Sequence, residues 1–272
     1  MTGVLVDGLR WEVRVRGSGH PLLLVHGFTG RGTSWGSHAH ALARAFRLIT
    51  VDLPGHGRSG AGPPARMTVE RTADDLGAIL ARLQAVPAHV VGYSLGARVA
   101  LRLAVDHPDA VDRLVLESPS AGLPSEAERA ARRAADEALA ARIESEGIER
   151  FVDEWERNPV FAGARSADPD RVARVRAMRL GNDPAGLAAS LRHAGQGTMT
   201  PLFDALPTIA VPTLVIAGHL DAIGLPRAER VAALIPDARL AVVDGAGHTP
   251  HDERPEAFRR LVRAFLEEEP TR

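Results

Sequence analysis

The sequence predicts an α/β fold: a mostly parallel central sheet with helices on both faces and a helical cap inserted between two of its strands. Short apolar runs alternate with longer stretches whose apolar residues recur at helical spacing, the pattern of repeated strand–helix units. That alternation stops once, from about Ser120 to Leu206, where helical patterns rich in Ala, Arg and Glu continue without a convincing strand. A Gly-x-Ser-x-Gly segment lies between one apolar run and the helical pattern that follows it.

In chain order, the first element is a β-hairpin over residues 3–16, two alternating stretches around the turn pair Asp7-Gly8. Strands are then predicted at Leu22–Val25, Leu48–Leu53, Val90–Tyr93, Leu114–Leu116, Leu214–Ala217 and Leu240–Val243. Helices are predicted at Val69–Leu83, Ala97–Val105, Arg227–Ile235 and Pro255–Leu266. Pro159, Pro169 and Pro184 punctuate the strandless interval. Because the strand–helix pattern resumes after it, residues 1–119 and 207–272 read as one core and 120–206 as its inserted cap. The sequence shows no internal repeat and no low-complexity linker.

A chain of 272 residues, 45% hydrophobic and 25% charged, is long enough to bury a full core. Thirty-three basic against thirty-four acidic side chains leave a formal net charge of −1, so no positive surplus marks a nucleic-acid partner. Cysteine is absent, which excludes disulfides, thiolate nucleophiles and Cys-based metal sites. Every basic residue is arginine; without lysine, Schiff-base chemistry and a Walker-type phosphate loop are excluded too. The first residues lack the basic and apolar segments of a signal peptide, and no apolar run nears the roughly 18 residues of a membrane span. A cytoplasmic protein without membrane contact is expected, with no cofactor and no metal. The choice between monomer and homo-oligomer stays open.

Gly92-Tyr93-Ser94-Leu95-Gly96 follows a predicted strand and opens a predicted helix, the setting that a nucleophile elbow requires. On these five residues alone, a serine that merely caps the helix fits equally well. Two later residues favour the nucleophile. Asp221, in Gly218-His219-Leu220-Asp221, and His248, in Gly245-Ala246-Gly247-His248, each follow a predicted strand, in the order Ser, acid, His. Carboxyl ends of parallel strands share one edge of a sheet, so all three side chains are expected together. His248 would then accept the Ser94 proton, and Asp221 would fix the tautomer of His248. Glu117 also ends a strand and is a rival acid, or else caps a helix or anchors the cap. Asp244 is expected to stabilise its own turn, and His219 and His251 to be surface or outer-layer groups. Amides of Leu95 and of Phe28, in His26-Gly27-Phe28, are candidates for an oxyanion hole. Gly55-His56-Gly57-Arg58-Ser59-Gly60 matches a dinucleotide pattern, but Ala61-Gly62-Pro63-Pro64 follows instead of a helix, so it is read as a loop.

Together with His26-Gly27 and Asp52-Leu53-Pro54-Gly55-His56-Gly57, these residues resemble the α/β-hydrolase superfamily over essentially the whole chain. That superfamily contains esterases, dehalogenases, C–C hydrolases and lyases, among which the fold does not choose. Finer features do. The elbow with Ala97-Arg98 resembles that of the 2-succinyl-6-hydroxy-2,4-cyclohexadiene-1-carboxylate (SHCHC) synthase family of menaquinone biosynthesis, as does His26-Gly27-Phe28-Thr29-Gly30 with Trp35. Within and around the cap, Leu116-Glu117-Ser118-Pro119, Arg132, Phe151-Val152-Asp153-Glu154-Trp155, Pro159-Val160-Phe161 and Arg179 are similar to that family as well. Ala97 departs from the family's second glycine and adds a methyl group beside the elbow.

The resemblance implies an elimination without an acyl-enzyme or cofactor. Ser94, deprotonated through His248, would take a ring proton from 2-succinyl-5-enolpyruvyl-6-hydroxy-3-cyclohexene-1-carboxylate and so release pyruvate. It further implies that Arg98, Arg132 and Arg179 bind the carboxylates of this small anionic substrate, with Tyr93, Trp155 and Phe161 as apolar walls. Arginine density adds nothing here: twelve of the thirty-three arginines lie between 120 and 200, beside thirteen acidic residues. A hydrolase of small esters, lactones or C–C bonds in diketones is the alternative. A non-catalytic binding protein on the same fold is a third reading.

Overall fold

The computed structural model describes residues 2–161 and 169–268. Strands β1 (Thr2–Val6) and β2 (Leu9–Arg16) form the expected hairpin. Asp7 and Gly8 both take positive φ, 43° and 84°, as a two-residue turn of the primed type needs. Six further strands follow: β3 (Pro21–Val25), β4 (Arg47–Val51), β5 (Ala88–Tyr93), β6 (Val111–Glu117), β7 (Thr213–Gly218) and β8 (Ala238–Val243). They make one eight-stranded sheet in the order β1-β2-β4-β3-β5-β6-β7-β8. Only the β1–β2 and β2–β4 pairs are antiparallel.

Central strands read as continuous apolar runs because both of their faces are covered. Along β3, Leu23 and Val25 point into one core cluster while Leu22 and Leu24 point into the other. The first cluster is closed by α2 (Val69–Arg82), α3 (Leu95–Asp106) and α7 (Gly224–Leu234). The second is closed by α1 (Gly36–Leu42) and α9 (Pro255–Leu266), with the single turn α8 (Pro250–Glu253) before the latter. Thr68 starts α2 by accepting a hydrogen bond from Arg71 N, an N-cap that satisfies one otherwise orphaned amide. Two differences from the sequence reading stand out. Helix α1 was not expected, and α7 begins three residues before Arg227, since Pro226 is tolerated in a first helical turn.

Between β6 and β7 lie α4 (Glu126–Trp155), α5 (Pro169–Leu180) and α6 (Pro184–Ala194). Ser125 and Glu128 form a reciprocal capping box at the start of α4. Helix α4 is broken at Gly147, whose φ of 85° only glycine adopts without strain. Its apolar face packs on α6 through Ala140, Ile143, Val152, Leu187 and Leu191. Asn182, between α5 and α6, ties this layer to the core: its amide donates to Thr29 O at 2.8 Å and accepts from Gly57 N at 3.0 Å. The Gly55–Gly60 stretch is irregular, as expected, and Asp52 anchors it by accepting from Arg58 N. Among the described residues, no helix is long and apolar enough to cross a membrane.

Candidate active site

Strand β5 ends at Tyr93 and α3 begins at Leu95, leaving Ser94 alone in the turn with φ 51° and ψ −105°. A serine in that region is strained, and the strain persists because the flanks pack too closely to relax. A Cβ on Gly92 would lie 2.4 Å from Gly96 O, and one on Gly96 would lie 2.1 Å from Val25 O. Both positions therefore require glycine. Ser94 N donates to Glu117 O at 2.9 Å, which fixes the elbow to β6.

The structure brings Ser94, His248 and Asp221 into one hydrogen-bonded row. His248 Nε2 lies 3.1 Å from Ser94 Oγ, and His248 Nδ1 lies 2.6 Å from Asp221 Oδ2. Asp221 is buried, which by itself raises its pKa; the His248 hydrogen bond and charge, with the Gly224 and Ile223 amides, outweigh burial and hold it below the usual carboxylate value. The loop carrying His248 is pinned on both sides. Ser118 Oγ donates to His248 O at 2.9 Å, and Glu253 accepts from Gly247 N at 2.8 Å and Thr249 N at 3.0 Å.

Glu117 is placed elsewhere. It is fully buried and accepts from His251 N at 2.7 Å and His251 Nδ1 at 2.8 Å. His251 is thus a buried group rather than a surface one. Burial alone would lower its pKa, but Glu117 and Asp252 raise it to about 9. His219 and Asp244 are exposed.

The amides of Phe28 and Leu95, two residues that line the cavity with Ser94, make no backbone hydrogen bond among the described residues. Leu95 N is free because the first amides of a helix have no acceptor within it. The Phe28 loop is held by His26, whose Nδ1 donates to Gly27 O at 2.7 Å while Nε2 accepts from Leu53 N at 2.9 Å. That pair of bonds requires the neutral ring, and burial lowers the His26 pKa to about 4.

A cavity of about 460 Å³ opens over Ser94, within the roughly 300–1,000 Å³ usual for small-molecule sites. Tyr93, Trp155 and Phe161 line it together with the Phe28 ring. Trp155 Nε1 is buried with no hydrogen-bond partner among the described residues. Arg98 lies one helical turn beyond Ser94; its guanidinium donates to Ala194 O at 2.6 Å, and burial, with Arg132 nearby, lowers its pKa to about 9. Arg132 also lines the cavity and donates through Nε to Asp136 Oδ1 at 2.8 Å. Arg179 does not line it. It pairs with Glu156 at 3.0 Å, stacks over Phe161 at 5.4 Å and lines a smaller neighbouring cavity. A further cation, Arg227, does line the main cavity; among the described residues its side chain donates, at 3.3 Å, to the neutral Gln196 side chain.

A model of the alpha/beta hydrolase fold matches residues 20–255. The chain belongs to the α/β-hydrolase family. Within that family it is SHCHC synthase-like. It is 36% identical over 263 residues, 96% of each chain, to a Bacillus subtilis (strain 168) protein provisionally assigned as SHCHC synthase. It is 33% identical over 240 residues to the SHCHC synthase of Salmonella paratyphi C, covering 86% of this chain and 88% of that one. Among solved structures, MenH from S. aureus superposes with a TM-score of 0.90 at 31% identity, over 96% of this chain and 99% of that one. The enol-lactonase from Burkholderia xenovorans LB400 follows the same fold, with a TM-score of 0.83 at 26% identity over 98% and 100% of the two chains.

Several working parts of this α/β-hydrolase site escaped the sequence. Ser118 and Glu253 act on the His248 loop through contacts that link residues far apart in the chain or backbone groups with no motif. Arg227 carried one usable signal, its position six residues after Asp221 at the start of a strand-end helix.

Proposed function

We propose that this α/β-hydrolase eliminates pyruvate from 2-succinyl-5-enolpyruvyl-6-hydroxy-3-cyclohexene-1-carboxylate to give SHCHC, a step of menaquinone biosynthesis. The observation that carries this reading is that the Ser94–His248–Asp221 row and three arginines, Arg98, Arg132 and Arg227, share one cavity. A simple ester needs the row but not the cations; a tricarboxylate needs both.

The chemistry follows from the bonds that change. The ketone of the 2-succinyl group acidifies the hydrogen on ring carbon 2. Ser94, its proton drawn to His248 Nε2, removes that hydrogen. The electron pair shifts into the ring, double bonds form at carbons 2 and 4, and the bond from carbon 5 to the enolpyruvyl oxygen breaks. His248 returns a proton to the leaving enolpyruvate, which becomes pyruvate. Negative charge that develops on the succinyl ketone oxygen is met by the Phe28 and Leu95 amides, which need no reorganisation as it forms. Asp221 holds the His248 ring in the tautomer that accepts at Nε2. No acyl-enzyme forms, so rapid-mixing kinetics should show pyruvate and SHCHC appearing together without a burst; a stoichiometric burst would indicate a hydrolase.

Arginine suits the three carboxylates because its planar fork binds them bidentately. Arg98→Ala and Arg227→Gln are each expected to raise KM at least about tenfold, with kcat changed only a few-fold, since a lost charge-assisted hydrogen bond is worth about 1.5–3 kcal/mol. Arg179→Gln should change KM less, because Arg179 lines the neighbouring cavity rather than the one over Ser94. Steady-state kinetics of the three variants check this ordering.

A further inference from the structure

At the amino-terminal ends of β3, β5 and β6, away from the Ser94 edge, three side chains from distant parts of the chain converge. His20 precedes β3, His89 is the second residue of β5, and Asp112 is the second residue of β6. His20 Nε2 lies 3.2 Å and His89 Nδ1 lies 3.4 Å from one atom, Asp112 Oδ2. One nitrogen or oxygen from each residue lies within 4.8 Å of the other two. A tetrahedral cation with ligands at about 2.0–2.1 Å holds neighbouring ligand atoms about 3.3 Å apart, close to the two distances to Asp112 Oδ2.

His89 supplies the independent observation. It is only 5% exposed, yet its Nδ1 is buried without a hydrogen-bond partner among the described residues. That nitrogen lies 3.4 Å from Asp112 Oδ2, close enough for the two atoms to share one cation. Arg113, the next residue along, directs its guanidinium to the Phe265 and Glu268 carbonyls.

We propose that His20, His89 and Asp112 form a binding site for a divalent transition-metal cation of the zinc class, with two imidazole nitrogens and one carboxylate oxygen as ligands and the remaining position open to water. Two nitrogens with one carboxylate suit such a cation better than calcium or magnesium, which take all-oxygen sets. The His20 and His89 rings, 4.1 Å apart at their centroids, separate as the cation enters. His20 moves to allow this, since its side chain is 38% exposed and lies outside any strand. About 16 Å of strand separates His89 from Ser94, so the cation fastens the loop before β3 to the ends of β5 and β6 and takes no part in the chemistry.

The test uses untagged, chelator-stripped protein titrated with zinc chloride by calorimetry, with cobalt(II) as an optical probe. One equivalent is expected to bind in the micromolar range or tighter, to raise the thermal midpoint, and to give the intense visible bands of tetrahedral cobalt. His20→Ala and Asp112→Asn alter half-exposed side chains and should fold normally, yet each should weaken binding at least tenfold and abolish the bands. Uptake by the double variant equal to that of the unmodified chain would overturn the proposal. So would no uptake by the unmodified chain at millimolar zinc.

Discussion

Ser94→Ala and His248→Ala are each expected to lower turnover at least about a thousandfold while leaving the fold intact. The reason is geometric. Ser94 Oγ has its partner 3.1 Å away at His248 Nε2, and no other described side chain is hydrogen-bonded to it. Without the hydroxyl, no base stands over the ring hydrogen; without the imidazole, the hydroxyl stays protonated and its basicity is negligible. The fold should survive both changes. His248 is partly exposed at the cavity, and Ala tolerates the same backbone as Ser apart from the strain already held by Gly92 and Gly96. Because the row acts as a unit, the double variant should be little worse than either single one. Turnover and the circular dichroism of each variant check this; a variant that kept a tenth of the activity would remove the proposed base.

Acid should unfold this protein more steeply than its carboxylates alone require. His26 and His56 are both buried, their rings 5.2 Å apart. Burial lowers their pKa values to about 4 and about 3, with His26 itself a second cause for His56. Folded values below the unfolded value of about 6.5 mean that the unfolded chain binds the extra protons. Stability from this source is complete above about pH 6.5 and falls as pH drops toward about 4 to 3. Two protons give a slope of up to about 2.7 kcal/mol per pH unit, a large share of a typical 5–15 kcal/mol. His251 acts in the opposite sense. Its raised value makes its contribution complete below about pH 6.5, and that contribution is lost as pH rises through about 9. Urea denaturation from pH 4.5 to 9.5 should therefore show a maximum near neutrality, and His26→Gln should flatten the acid limb. A flat profile between pH 6.5 and 4.5 would contradict the neutral buried histidines that hold the Phe28 loop.

Local pattern made most of the sheet legible. Each central strand is buried on both faces and so reads as an apolar run, and α9, an amphipathic helix, falls at its expected bounds of Pro255–Leu266. The elbow was legible because a strained serine needs glycines at fixed offsets. Helix α1 was not, since its seven residues include one leucine and two histidines and carry no apolar period. The cap arginines show the limit of motif position. Arg179 sits where the family resemblance points, yet Glu156, 23 residues earlier, engages its guanidinium. Arg227 has no acidic hydrogen-bond partner among the described residues and lines the cavity, a fact set by three-dimensional neighbours rather than by sequence. The same holds for His20, His89 and Asp112, which only the register of β3, β5 and β6 brings together.

The most direct measurement is pyruvate release from freshly generated enolpyruvyl substrate, comparing the unmodified enzyme with Ser94→Ala. Fast release by the former, matched mole for mole by SHCHC and lost in the latter, is expected. No release by the unmodified enzyme, together with turnover of simple aryl esters, would contradict the elimination and make the protein a hydrolase.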